Sequence, residues 1–133
     1  MTVKLVKISK CKLVKNLKGN IIKFINKKDD LFTNFGEIYF SEIKKNKIKG
    51  WNYHKRYICL LTVPYGKVKF TIYNPSNKKK KHYILSDKNR IILQIPPKNW
   101  FSFTSLLKRS LVVNILNNIH NPLETKKQLE IKN

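Results

Sequence analysis

Polar and apolar residues alternate over short stretches of this chain, and the stretches are closed by turn chemistry. Lys67 to Tyr73 reads Lys-Val-Lys-Phe-Thr-Ile-Tyr, which places Val68, Phe70 and Ile72 on one face of a half-buried strand. Similar short runs rich in β-branched and aromatic residues predict strands over Val3–Ile8, Cys11–Leu17, Asn20–Ile25, Gly36–Ile43, Ile48–Tyr53, Tyr57–Val63, His82–Leu85, Arg90–Ile95, Trp100–Thr104 and Ser110–Leu116. Between them, Lys18-Gly19-Asn20, Lys44 to Lys47, Pro64-Tyr65-Gly66, Asn74 to Asn77 and Ser86 to Asn89 carry residues that reverse a chain. The lysine run Lys78–Lys81 is expected in an exposed hairpin loop. Only the tail, Pro122–Ile131, offers a helical turn or two. Many short strands without long helical patterns predict an all-β fold, an antiparallel sandwich or barrel.

The 133 residues suit one domain, 1–133, with no internal repeat and no linker composition. A hydrophobic content of 41%, with 7 Phe, 6 Tyr and 2 Trp, is enough to fill a core. The longest apolar runs, such as Ile58–Val63, fall far short of the ~20 residues of a membrane helix, and the N-terminus lacks a signal peptide's apolar block. A soluble, cytoplasmic protein without a membrane partner is expected. Cys11 and Cys59 form neither a disulfide framework nor a zinc pattern.

The net charge of +22 would ordinarily point to nucleic acid. Here arginine is confined to Arg56, Arg90 and Arg109, alanine is absent, and Lys, Asn and Ile abound, a composition that reflects AT-rich coding DNA. Phosphate-gripping proteins favour arginine's bidentate fork, so a nucleic-acid partner is not expected. An anionic small ligand, such as a nucleotide diphosphate, remains well matched to the surface.

Gly36-Glu-Ile-Tyr-Phe-Ser41, Ile48-Lys-Gly-Trp-Asn-Tyr-His-Lys55 and Pro64-Tyr-Gly-Lys-Val-Lys-Phe-Thr-Ile-Tyr-Asn74, followed by Ile95-Pro-Pro-Lys-Asn-Trp-Phe-Ser-Phe103 and Val113 to Pro122, together resemble the dTDP-4-dehydrorhamnose 3,5-epimerase family of sugar cupins. The resemblance spans about residues 18 to 131. It implies a cupin-type jelly-roll barrel, a homodimer, and a nucleotide-linked 4-keto-6-deoxy sugar as substrate in polysaccharide precursor synthesis. A ketone at C4 acidifies the hydrogens at C3 and C5, so the reaction needs a base, a stabiliser for the enolate oxygen, an acid and cations for the diphosphate. No metal and no other cofactor is expected.

His54 is the candidate base, because an imidazole accepts a proton near neutral pH; the alternative is a ring that merely hydrogen-bonds inside the barrel. Lys49 stands where the family has the arginine of an Arg-Gly pair. Period two would place Asn52, His54 and Arg56 on one face and Tyr53 and Lys55 on the other, which makes Lys49, Asn52 and Arg56 candidate substrate contacts. Tyr39, Phe40 and Tyr73 serve either as contacts to base and sugar or as core and rim packing. Trp51 and Trp100 are read as buried, and His82 and His120 as surface residues.

The sequence also departs from the family. Asn52 occupies the place of the epimerases' catalytic histidine, while His54 matches the second histidine of the His-x-His string in the related sugar 3,4-ketoisomerases. Asn114 falls at the epimerases' tyrosine acid, Cys59 at their supporting lysine and Phe101 at a later histidine. Alongside epimerisation, two alternatives therefore stay open: ketone transfer between C3 and C4, and sugar-nucleotide binding without catalysis. With Asn52 and Phe101 at ligand places and no acid near His54 in sequence, a metal centre is not expected.

Overall fold

The computed structural model describes residues 5–127, and within them every regular element is a strand. In chain order these are β1 (Lys7–Lys10), β2 (Lys12–Val14), β3 (Ile21–Lys23), β4 (Glu37–Lys44), β5 (Ile48–His54), β6 (Cys59–Tyr65), β7 (Lys67–Asn74), β8 (Lys79–Ser86), β9 (Ile91–Ile95), β10 (Trp100–Ser105), β11 (Arg109–Leu116) and β12 (Thr125–Lys127). One five-stranded sheet runs β1-β9-β6-β11-β4, a second runs β12-β5-β10-β7-β8, and β2 and β3 form a two-stranded ribbon. From β4 onward each connection passes from one five-stranded sheet to the other, except the β7–β8 hairpin. This is a jelly roll.

The pleat explains the packing. Val68, Phe70 and Ile72 of β7 point inward with Leu85, Phe101 and Phe103, and meet Ile43, Leu61, Val63, Leu93, Ile95, Val112 and Leu116 from the facing sheet. Phe70 and Phe103 pack with ring centroids 5.2 Å apart. The central strands of the first sheet are apolar on both sides because their outer face is covered too. There Leu60, Ile92 and Ile115 pack with Cys11 and Leu31, beside Phe24, Ile25 and Phe32 from the segment that follows the ribbon, and Gln94 Nε2 donates to the Leu31 carbonyl at 2.8 Å. Both cysteines are buried free thiols.

Several boundaries differ from the sequence pattern. The lysine run is largely strand: Lys79, Lys80 and Lys81 pair with Asn74, Tyr73 and Ile72. They lie exposed on an edge strand, where charge discourages pairing with another chain. The reversal happens earlier, with Lys78 at φ 59° accepting the left-handed turn. Pro64 and Tyr65 belong to β6 and not to a turn, because the β6–β11 register shifts between Leu111 and Val113 beside a residue that has no N–H to pair. The tail is not helical through residue 127. It turns at Asn121–Glu124, closed by Glu124 N–H to the Asn121 carbonyl at 2.9 Å, and then pairs with the edge of β5; the rest of that predicted segment lies outside the described residues. At the other end, β1 pairs with β9 of the same chain, and the start of the predicted Val3–Ile8 strand also lies outside the described residues.

Candidate active site

Between the two five-stranded sheets lies a cavity of ≈ 910 Å³. One wall comes from β5 and β10, with Lys49, Gly50, Asn52, His54, Phe101 and Phe103; the other comes from β4, β6 and β11, with Tyr39, Ser41, Leu61, Asn114 and neighbours. His120, Pro122 and Thr125 close the side reached by the turn after β11. A substrate-sized volume is thus lined mainly by apolar surface with a few polar groups, the usual composition of a small-molecule site.

Gly50 allows β5 to approach β10. Its φ is +125°, and a Cβ there would come within 2.8 Å of the Phe101 carbonyl oxygen and of Ser102. The register with β10 shifts at this point, between Phe101 and Ser102. Gly50, Asn52 and His54 consequently follow one another along the cavity wall.

His54, at the end of β5, is 8% exposed. Its Nδ1 lies 2.7 Å from Glu124 Oε1, and Thr125 Oγ1 is 3.2 Å from the same nitrogen. Tyr57 and Phe101 flank the ring, with centroids at 6.0 and 6.3 Å. The second carboxylate oxygen of Glu124 accepts the backbone N–H of Arg56 at 2.8 Å and of Tyr57 at 3.0 Å. Burial pushes the Glu124 carboxyl up, but the Arg56 N–H, the His54 imidazole and the Tyr57 N–H outweigh that effect and hold it below its ordinary value. An ionised carboxylate is an acceptor only, so it selects the tautomer with hydrogen on Nδ1. Nε2 then carries the lone pair, in the form needed to remove a proton.

The facing wall holds a second polar group of residues. Tyr39 donates its hydroxyl to Glu37 Oε2 at 2.6 Å, and the same oxygen accepts the His120 backbone N–H at 3.1 Å. Burial, reinforced by the Glu37 carboxylate, pushes the Tyr39 phenol above its ordinary value. Tyr39 pairs directly with Asn114 across β4 and β11. Asn114 Nδ2 is 3.8 Å from the sulfur of Cys59, whose thiol burial pushes up to about 12. The Asn114 Oδ1 is buried without a protein partner. Lys49 Nζ donates to Ser41 Oγ at 2.8 Å, bridging the two walls.

Of the residues singled out in the sequence, the structure gathers His54, Lys49, Asn52, Tyr39 and Asn114 around one cavity. Arg56 is not among the lining residues. The period-two argument stops at His54, where β5 ends and the chain bends, so that Arg56 is exposed and only its backbone N–H is tied to Glu124. Phe40 lines the cavity while 72% exposed, whereas Tyr73 does not line it. Trp51 is buried at 4% exposure, whereas Trp100, read as buried, is only half-buried and packs tilted against Tyr53 with ring centroids 4.9 Å apart. His82 is an exposed partner of Thr71, whereas exposed His120 also lines the cavity. The sequence reading missed Glu124: it found no acid near His54, but β12 returns to pair Thr125 with His54 and brings in a carboxylate from 70 residues away. No local signal pointed to Glu124, because Pro122 is equally compatible with the first turn of a helix. Among the described residues, no three His, Cys, Asp or Glu side chains are grouped to hold a metal ion, and no helix is long and apolar enough to cross a membrane.

No protein-family model matches the sequence, and no curated protein matches it. Solved structures do. A dTDP sugar isomerase from Desulfovibrio desulfuricans G20 superposes with a TM-score of 0.90 at 25% identity, covering 96% of this chain and 86% of that one. A dTDP-4-dehydrorhamnose 3,5-epimerase from Bacillus anthracis, with TDP and PPi bound, gives 0.84 at 22% identity over 94% of this chain and 79% of that one. A histidine-to-asparagine mutant of the 3,4-ketoisomerase QdtA from Thermoanaerobacterium thermosaccharolyticum, in complex with TDP-4-keto-6-deoxyglucose, gives 0.82 at 20% identity over 92% and 87%. The likeness covers nearly the whole chain, and the protein accordingly has the all-β cupin jelly roll of the dTDP-sugar epimerases and isomerases.

Proposed function

We propose that this protein is an isomerase or epimerase of a dTDP-linked 4-keto-6-deoxy sugar, acting by proton abstraction beside the ketone and supplying precursors of cell-surface polysaccharide. The observation that carries the reading is His54 lining the cavity with Glu124 on its Nδ1, which leaves Nε2 as the base. In this reading His54 takes the C3 hydrogen as a proton, and the electron pair moves onto the ketone oxygen. Asn52, next along the same wall, offers an amide N–H to that oxygen. Lys49 meets the diphosphate, and Tyr39 and Asn114 contact the sugar from the other wall. The protein works as a single cytoplasmic domain and a homodimer, without a cofactor; the exposed Ile38 and Phe40 of β4 support association with a second copy.

The test is turnover of dTDP-4-keto-6-deoxyglucose followed by NMR identification of the product. The wild type is expected to yield an isomer, and His54→Asn to lose roughly 10²- to 10⁴-fold in rate. A product with the ketone at C3 would assign ketone transfer. That second reading is favoured by Asn114, an amide where an epimerase's acid would stand. Binding without turnover in the wild type would contradict an enzymatic role.

A further inference from the structure

We propose that the outer face of the second five-stranded sheet is a stacking platform for single-stranded nucleic acid, built on Tyr53, Trp100 and Tyr73. The inference goes beyond the catalytic reading and is independent of it, since none of the three rings lines the cavity.

Three strands set these rings side by side. Trp100 of β10 pairs with Tyr53 of β5 on one side and with Tyr73 of β7 on the other. Phe101 and Ile72 belong to the core and His54 lines the cavity, so the alternation of the pleat turns Trp100, Tyr73 and Tyr53 to the opposite face. All three are half-buried, and Trp100 meets Tyr53 with ring centroids 4.9 Å apart. The row ends in an exposed lysine on each side. Lys126 of β12 pairs with Tyr53 and holds its Nζ 5.5 Å from that ring's centroid, and Lys80 of β8 pairs with Tyr73. With neighbouring strands about 4.8 Å apart, the five residues span roughly 19 Å.

The charge of the sheet matches. Among the described residues, no Asp or Glu stands in any of its five strands, whereas β5, β7, β8 and β12 all carry lysine. The face therefore presents rings and ammonium groups with no carboxylate to repel a phosphate. A single strand offers the complement, flat bases joined through anionic phosphates. Sheets that carry such rings hold two or three unstacked bases in this manner. Scarce arginine argues against bidentate grip of phosphates but not against stacking, which needs a ring for the base and any cation near the backbone. A neutral glycan also stacks on aromatic rings, but its hydroxyls need acceptors as well, and the ends of this row are donors only.

The experiment measures fluorescence anisotropy of three labelled probes: a deoxycytidine oligomer of about 15 nucleotides, an abasic oligomer of the same length, and a neutral glucan oligosaccharide. The proteins are wild type, the ring variant Tyr73→Leu with Trp100→Leu, and the lysine variant Lys80→Gln with Lys126→Gln. Thermal melting verifies folding; if the ring variant does not fold, the lysine variant and the abasic probe decide. The cytidine oligomer is expected to bind wild type, to lose affinity steeply between about 50 and 200 mM salt, and to stay bound in excess dTDP. It should bind about tenfold or more tightly than the abasic chain. The ring variant is expected to lose on the order of 10- to 10³-fold in affinity, and the lysine variant to flatten the salt slope by roughly 0.7 per lysine. Equal affinity for the abasic chain, or unchanged binding by either folded variant, would reduce the face to diffuse charge and overturn the proposal. So would an absence of oligomer binding at the lower salt, displacement by dTDP, which would put the strand in the cavity, or binding of the glucan in place of the oligomer.

Discussion

Glu124 determines which nitrogen of His54 is available, and that makes it the positioning residue with the largest expected effect. Glu124→Gln preserves shape but removes the charge that fixes the tautomer and stabilises an imidazolium. It is expected to lower kcat by on the order of 10²-fold or more with little change in KM, a split that steady-state kinetics on the 4-keto sugar reads directly. The same carboxylate receives two backbone N–H groups and the imidazole, so its neutralisation is expected to cost about 1.5–3 kcal/mol of stability in urea unfolding. The pH dependence has a definite sign. The folded protein holds Glu124 below its ordinary value of 4.5, so its contribution is fully present above that value and is lost as pH falls through the folded-state pKa. Thermal melts should therefore show wild-type stability declining on acidification below about pH 4.5, with a shallower decline in Glu124→Gln. At this scale His54 was legible, because it is one of three histidines and lies in a recognisable string. Its partner was not, since a contact between residues 70 apart is created by strand pairing and leaves no local pattern.

β5 is the element on which the site depends. It carries Lys49, Asn52 and His54, pairs with β10 on one edge and with β12 on the other, and passes close to β10 through Gly50. Gly50→Ala combines an unfavourable backbone conformation, about 1–3 kcal/mol by itself, with a Cβ placed 2.8 Å from the neighbouring strand. Urea unfolding should show a loss at or above that range, and the variant should bind dTDP more weakly because Asn52 and His54 shift with the strand. A stability equal to wild type would show that the close approach is not required. The strands themselves were readable from alternation: Val68, Phe70 and Ile72 face the core as the period predicts. The misread boundaries share a cause. Lys79–Lys81, Pro64 and Lys126–Lys127 have low intrinsic strand preference, and each was captured by a neighbouring strand's unpaired backbone.

For the molecule as a whole, two layers of sheet create both the core and the cavity. Where Phe70, Phe103 and their partners interdigitate, the interior is filled; where the walls carry Gly50, Asn52 and Asn114, short or absent side chains leave space for a ligand, and Lys49 reaches across to Ser41. The jelly roll was legible because strands and turns alternate without long helical patterns, and because five segments resemble one family. The second cluster behind the first sheet was not, since Leu31 and Phe32 stand in an irregular segment whose burial follows only from its fold over β6 and β9. Everything proposed about activity converges on one event, the removal of a proton by His54 from the carbon beside a ketone. The most direct measurement is the rate at which deuterium from the solvent enters C3 of dTDP-4-keto-6-deoxyglucose, followed by proton NMR with wild type and His54→Asn side by side. The account predicts steady incorporation with the wild type and background incorporation with the variant; equal rates in the two would contradict it.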